Sequence, residues 1–257
     1  MKIFSSLLIL IFSIIYSESF AIDNIKKDKK TIINSIESQK DRLIEISDNI
    51  WEAAEPALLE FKSSKYLSDY AEENGFRVTR GVAEIPTAFV AEFGSGKPVI
   101  GILGEFDANP GISQKKQPTK EPLVKGAAGH GCGHNLYGTG SLGAAIAIKE
   151  MIESGEISGT VRFYGTPAEE TIFAKVWMVR AGLFDDVDVC MDWHPSDEVE
   201  AATQSSKALV DFRLRFFGDA SHASGDPWNG NSAVDAMELY TTGLNYYREH
   251  VRPTARR

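Results

Sequence analysis

Strand-like and helical periods alternate along the middle of the chain, and no other feature of the sequence constrains the fold as much. Pro98 to Phe106 reads as a buried strand, Leu142 to Ile152 as a helix rich in Ala, Ile and Leu, and Thr160 to Gly165 as a short strand. Ala174 to Leu183 then reads as a helix and Asp188 to Trp193 as another strand. That succession predicts a layered α/β domain, a sheet flanked by helices. Two amphipathic helices are expected earlier, one carrying Ile32, Ile36, Leu43, Ile46 and Ile50, the other Leu59, Tyr66 and Tyr70 ahead of Asn74-Gly75. Thr87 to Phe93 and Pro98 to Phe106 flank the turn Gly94-Ser95-Gly96, the pattern of a hairpin feeding a buried strand. From about Lys207 the texture shifts: Val210, Phe212, Leu214 and Phe216 alternate with Asp211, Arg213 and Arg215 as in a strand. A turn follows, then a helix expected from about Ser232 to Tyr247, so a second domain opens here.

The 257 residues, 43% of them hydrophobic, suit a globular protein and not a disordered one. Lys2, the apolar run Ile3 to Tyr16 and the small residues of Ser19-Phe20-Ala21 read as a cleaved signal peptide over residues 1–21. The run is shorter than the roughly 20 residues that span a bilayer, so no stable membrane anchor is expected after cleavage. The mature chain then begins near Ile22 and is exported, periplasmic or secreted. A net charge of −9 without a clustered basic face excludes nucleic acid as a partner. Two cysteines make no disulfide framework, and Cys190, within the apolar run from Val187 to Met191, is expected to be a buried, inert thiol.

Chemistry collects where strands are expected to end. Asp107 follows the strand through Leu103, Glu169 and Glu170 follow the strand ending near Tyr164, and His194 closes the strand through Cys190. Open α/β sheets gather ligands at the carboxyl ends of their strands. Between the first two lies His130-Gly131-Cys132-Gly133-His134-Asn135, in which Cys132 and His134 stand two residues apart and so share a side of an extended or turning backbone. Each residue alone has an ordinary explanation: Asp107 as a turn carboxylate, Glu169-Glu170 as a helix start, His194 as a strand end. Together they supply a thiolate, imidazoles and carboxylates, the donor set of zinc or another borderline divalent ion; manganese and cobalt stay open.

Six phrases in order carry a resemblance: Ile85-Pro86-Thr87-Ala88-Phe89-Val90, Gly104-Glu105-Phe106-Asp107, Gly129 to Asn135, Gly165-Thr166-Pro167-Ala168-Glu169-Glu170, Trp193-His194-Pro195 and Ala220-Ser221-His222-Ala223. On them the chain resembles the aminoacylase and carboxypeptidase superfamily of metal-dependent amidohydrolases, within it the branch typified by the aminobenzoyl-glutamate hydrolase B subunit. The resemblance implies a zinc-exopeptidase-like catalytic domain, begun over 22–205, and the beginning of an α+β lid and dimerisation domain over 206–257. It implies that Cys132, His134, Glu170 and His194 bind metal, with two Zn or Mn ions in a complete family site. It makes Glu169 the general base, Asp107 a group that orients a ligand or lies beside the metals, and His222 a lid histidine that stabilises the oxyanion across a homodimer. The implied reaction is hydrolysis of an N-acyl or N-aroyl amino acid, aminobenzoyl-glutamate-like, or of a dipeptide. His130 reads as orienting the loop, touching substrate or packing, and His250 as a helix-end contact.

The sequence also departs from the family pattern. Thr171-Ile172-Phe173 replaces a stretch that is Gly-rich in many relatives, and Asn109 stands where Leu is usual. In the family the chain returns from the lid to deliver one more histidine ligand, whereas no histidine follows His250 here. The alternative expectation is therefore a truncated, catalytically inactive fragment that at most binds metal or a partner chain. A third reading pairs Cys132 with His194 as nucleophile and base, but it leaves Glu169-Glu170 unemployed.

Overall fold

The structure, a computed structural model, describes residues 25–201 and 209–252. The expected signal peptide and the expected boundary at 205/206 lie outside the described residues. The chain divides into two compact units, Met1–Asp197 and Glu198–Arg257.

In the first unit a helix over residues 25–38 (α1) precedes α2 (Lys40–Ala53), α3 (Phe61–Glu73), β1 (Arg77–Arg80), β2 (Phe89–Ser95) and β3 (Val99–Gly104). Next come α4 (His134–Glu153), β4 (Gly159–Gly165), α5 (Ala174–Arg180) and β5 (Val189–Met191). The sheet order is β1-β2-β4-β3-β5. The expected hairpin is not there: β2 and β3 do not pair, because β4 lies between them. It runs antiparallel to β2 from Phe89↔Gly165 to Ser95↔Gly159 and parallel to β3 from Val99↔Thr160 to Gly104↔Gly165. The reason is that β4 is buried almost along its whole length. Val161, Phe163 and Tyr164 are all fully buried, so the strand needs neighbours on both edges and cover on both sides. The crossover through α4 returns the chain beside β3 and supplies part of that cover.

Strand alternation sorts the core. Ile102, Val161 and Phe163 face Ile46, Ile50, Leu67, Leu142 and Ile146 of α2 to α4, while Tyr164 and Leu103 pack with Ala174 and Met178 of α5. The sheet is thus flanked by helices on both faces. Its β5 end is less covered, and Cys190 is exposed there, contrary to the buried thiol expected from its apolar neighbours. A short edge strand with only β3 beside it cannot enclose its side chains.

In the second unit, residues 209–217 form no strand, although their side chains alternate. A pleated segment is stable only against a paired neighbour, and the only bridge described in this unit is Asp219↔Asn231. Phe216 meets Tyr240 with ring centroids 6.0 Å apart, while Phe212, Leu214 and Phe217 are exposed. The expected helix is present as α6 (Ala233–Tyr247), capped by Ser232, whose hydroxyl accepts the Asp235 N–H at 3.1 Å. Among the described residues no helix is long and apolar enough to cross a membrane.

One buried carboxyl ties α3 to the loop after β4. Glu60, fully buried, accepts the Ala168 N–H at 2.9 Å and the Thr87 hydroxyl at 3.1 Å. Ala168 has φ 57°, left-handed backbone that a Cβ disfavours, and Glu60 holds it there directly before Glu169-Glu170. Burial raises the Glu60 pKa. A carboxyl raised in the folded state contributes stability below its ordinary pKa and loses it as pH climbs through the folded value. Glu60→Gln keeps an acceptor for Ala168 without the charge. The variant should therefore gain stability relative to the parent as pH rises above about 4.5, a trend that urea unfolding across pH 4 to 8 will reveal or refute.

Candidate metal centre

The three parallel strands deliver their chemistry to one edge. β3 lies between β4 and β5, so Glu105 and Asp107 emerge in the middle, with Glu169-Glu170 on one side and His194 on the other. α4 begins at that edge with His134 as its first residue. Gly133 caps it at φ +79°, where a Cβ would also come within 2.9 Å of Pro195 Cγ, so the turn requires glycine.

Asp107 organises the centre. It is 1% exposed; its Oδ1 accepts the His134 Nδ1–H at 2.9 Å and its Oδ2 accepts the Glu170 N–H at 2.9 Å. With its proton on Nδ1, His134 turns the Nε2 lone pair inward. That atom is 2.9 Å from Glu105 Oε2 and 3.9 Å from Glu170 Oε1. His194 is set the same way, its Nδ1–H donating to Pro195 O at 2.9 Å and its Nε2 lying 3.4 Å from Cys132 Sγ. Two bonds to α4 hold the His194 segment: Tyr137 OH donates to Asp192 Oδ1, and Trp193 Nε1 donates to Ser141 Oγ at 2.9 Å. Asn109, the residue that departs from the usual Leu, accepts the Cys132 N–H on its side-chain oxygen at 3.1 Å.

The structure thus brings Asp107, Cys132, His134, Glu169, Glu170 and His194 together. Ligand atoms of Cys132, His134 and His194 lie within 4.8 Å of one another, as do those of Glu105, His134 and Glu169. His222 lies in the second unit, in a turn where its Nδ1 accepts the Gly225 N–H at 2.9 Å. His130 packs against α2, its Nε2 donating to Ile50 O at 3.1 Å, and burial pushes its pKa down to about 4. Glu105 had no assigned role in the sequence. The signal available was alternation, since Glu105 and Asp107 two residues apart leave β3 on the same side.

A divalent ion fits these residues. His134 Nε2, Glu105 Oε2 and Glu170 Oε1 are buried without a hydrogen-bond partner, and they converge on one spot with a thiol and a second imidazole beside it. Buried lone pairs facing one another are costly unless a cation lies among them. In its absence a proton is the nearest substitute. Burial disfavours charge on His134, but the Asp107 bond and the charges of Asp107, Cys132 and Glu170 outweigh it and raise its pKa. Burial, then the Glu170 charge, raises that of Glu169. Burial also raises the Cys132 pKa, so without a metal this thiol is not an activated nucleophile.

Residues 101–252 match the sequence profile of peptidase family M20/M25/M40. The chain belongs to that family. It is 46% identical over 228 residues to the B subunit of p-aminobenzoyl-glutamate hydrolase from Escherichia coli (strain K12), covering 88% of this chain and 47% of that protein. It is 32% identical over 240 residues to the Xaa-Arg dipeptidase of Mus musculus, covering 89% of this chain and 52% of that one. The chain spans about half the length of these curated relatives. A dinuclear metal-binding peptidase of the M20 family from Bacillus subtilis, a crystal structure, superposes with a TM-score of 0.52 at 28% identity, over 60% of this chain and 42% of that one.

The Asp107 bridge makes a prediction. Asp107→Asn leaves the side chain in place but cannot accept at both His134 and Glu170, so Zn²⁺ or Mn²⁺ affinity should fall about 10- to 100-fold in a chelator-competition titration.

Proposed function

We propose that this chain forms the metal-binding part of an amidohydrolase that cleaves the amide bond of an N-aroyl or N-acyl amino acid, aminobenzoyl-glutamate-like, or of a dipeptide. The observation that carries this reading is the meeting of three partnerless buried atoms at His134, with Glu105 Oε2 at 2.9 Å and Glu170 Oε1 at 3.9 Å from its Nε2, while ligand atoms of Cys132 and His194 lie within 4.8 Å of its own. The names of the two relatives above supply the substrate classes.

Cys132, His134, Glu170 and His194 would hold two zinc or manganese ions, which when bound would supply Lewis acidity toward a carbonyl and toward water. Glu169 is the general base: its raised pKa suits it to take a proton from the attacking water and return it to the leaving amine nitrogen. Asp107 keeps His134 in the tautomer that binds metal and pins the backbone of Glu170. His222, whose Nδ1 accepts a backbone N–H, carries its proton on Nε2 and offers it to the oxyanion formed in a neighbouring copy. The protein is read as exported on the strength of its N-terminal pattern, and as a homodimer because the resemblance to the amidohydrolase superfamily implies one.

The test uses the full chain loaded with Zn²⁺ or Mn²⁺ and assayed on p-aminobenzoyl-glutamate and on dipeptides. Hydrolysis should be lost on chelation and restored by the metal, and Glu169→Gln should lower kcat by about 10²- to 10⁴-fold with bound metal unchanged. Failure of the loaded chain to hydrolyse any such amide in a chelator-sensitive way would sink the reading.

A further inference from the structure

We propose that Glu105 is an additional protein ligand of this centre, with Lys175 as its fixed counter-ion; the inference rests on the metal-centre reading above. Glu105 directly follows β3, and its side chain is only 4% exposed. One oxygen, Oε1, is bonded to the Lys175 ammonium from α5. The other, Oε2, lies 2.9 Å from His134 Nε2, yet neither atom has a hydrogen-bond partner. The Nδ1 proton of His134 is engaged on Asp107, so a neutral His134 turns a lone pair toward Glu105, and a proton or a metal ion must lie in that gap. Such an approach is repulsive between two acceptors. A cation between the two atoms would remove that repulsion, because donor atoms that share one ion are held close together by it.

Charge supports the same assignment. Cys132, Glu105, Asp107, Glu169 and Glu170 place five groups that are anionic around a divalent ion within one partly buried cluster. A buried carboxylate is tolerated when it is paired and its remaining lone pairs are used. Lys175 is bonded to one oxygen of Glu105 and so fixes the rotamer that presents Oε2 to His134. Two divalent ions together with Lys175 balance those five negative charges.

The test is metal binding by the full chain, stripped and then titrated with Zn²⁺ and with Mn²⁺ against a fluorescent chelator, with bound metal counted by mass spectrometry. Glu105→Gln, which is close to isosteric, should weaken binding more than about tenfold or lower the metal count. Lys175→Met should weaken binding in the parent but add little in the Glu105→Gln background, because Lys175 acts through Glu105. Cys132→Ser is the control for the centre itself. Parent affinity and count in Glu105→Gln, with binding lost in Cys132→Ser, would overturn the role of Glu105 and leave the metal centre standing. A parent that binds neither metal overturns both. Should Glu105→Gln not fold, Glu105→Asp keeps the charge for Lys175 but draws the carboxylate back by one methylene, and parent affinity there overturns the proposal equally.

Discussion

The carboxylate of Asp107 is the interaction on which the rest of the site depends. Its two oxygens accept from His134 Nδ1 and from the Glu170 backbone, so one buried group joins the end of β3, the start of α4 and the loop after β4. Three segments far apart in the chain become one rigid corner. Bonds from charged acceptors are stronger than neutral ones, and here both are out of water, where they are screened least. The bridge also decides a tautomer: with the proton held on Nδ1, the only free donor of His134 is the lone pair on Nε2. The chemistry of the centre follows from that choice.

Around this corner the fold accepts arrangements that are unfavourable in isolation. Ala168 adopts left-handed backbone, His134 Nε2 and Glu105 Oε2 are buried without hydrogen-bond partners, and Glu60 is a fully buried carboxyl. None survives unless its surroundings leave no alternative. Glu60 removes the alternative for Ala168 by accepting its N–H, and the packing of α5 on Tyr164 and Ala168 closes that face of the loop. The loop after β4 is consequently short of freedom where Glu169 and Glu170 must be aimed, as a preorganised site requires.

The layered architecture was legible because periodicity is local: most strands and helices of the first unit declare themselves within ten or so residues, although the four-residue β1 is too short and too polar to do so. Pairing was not. The turn at Gly94-Ser95-Gly96 looks like a hairpin, and only the fully buried β4, about 65 residues later, makes clear that the space beside β2 and beside β3 is taken. The alternating run from Val210 to Phe216 misled for a related reason, since alternation describes a strand's faces and says nothing of whether an edge awaits it. In the site, donor type and order marked Asp107, Cys132, His134, Glu169, Glu170 and His194 as a group, and the structure brings them together. Glu105 could not be marked so, because a carboxylate after a strand has the same letter whether it is solvated, paired to lysine or turned toward a metal. What separates those cases is a missing hydrogen bond, which exists only in three dimensions.

Asn109 shows how a departure from a family pattern becomes intelligible at that level. Its side-chain oxygen accepts the backbone N–H of Cys132, while its own backbone exchanges bonds with Gly129 at 3.0 Å in each direction. The Gly-rich segment is therefore anchored at both ends, to Asn109 before the cysteine and through Gly133 to the first turn of α4 after it. A leucine there could pack but could not hold that N–H, and the amide would need water in a half-buried loop. The glycines admit a close backbone approach, and the polar contacts set where it stops. Cys132 thus gains an anchor of its own on the loop, as His134 has its own at the start of the helix.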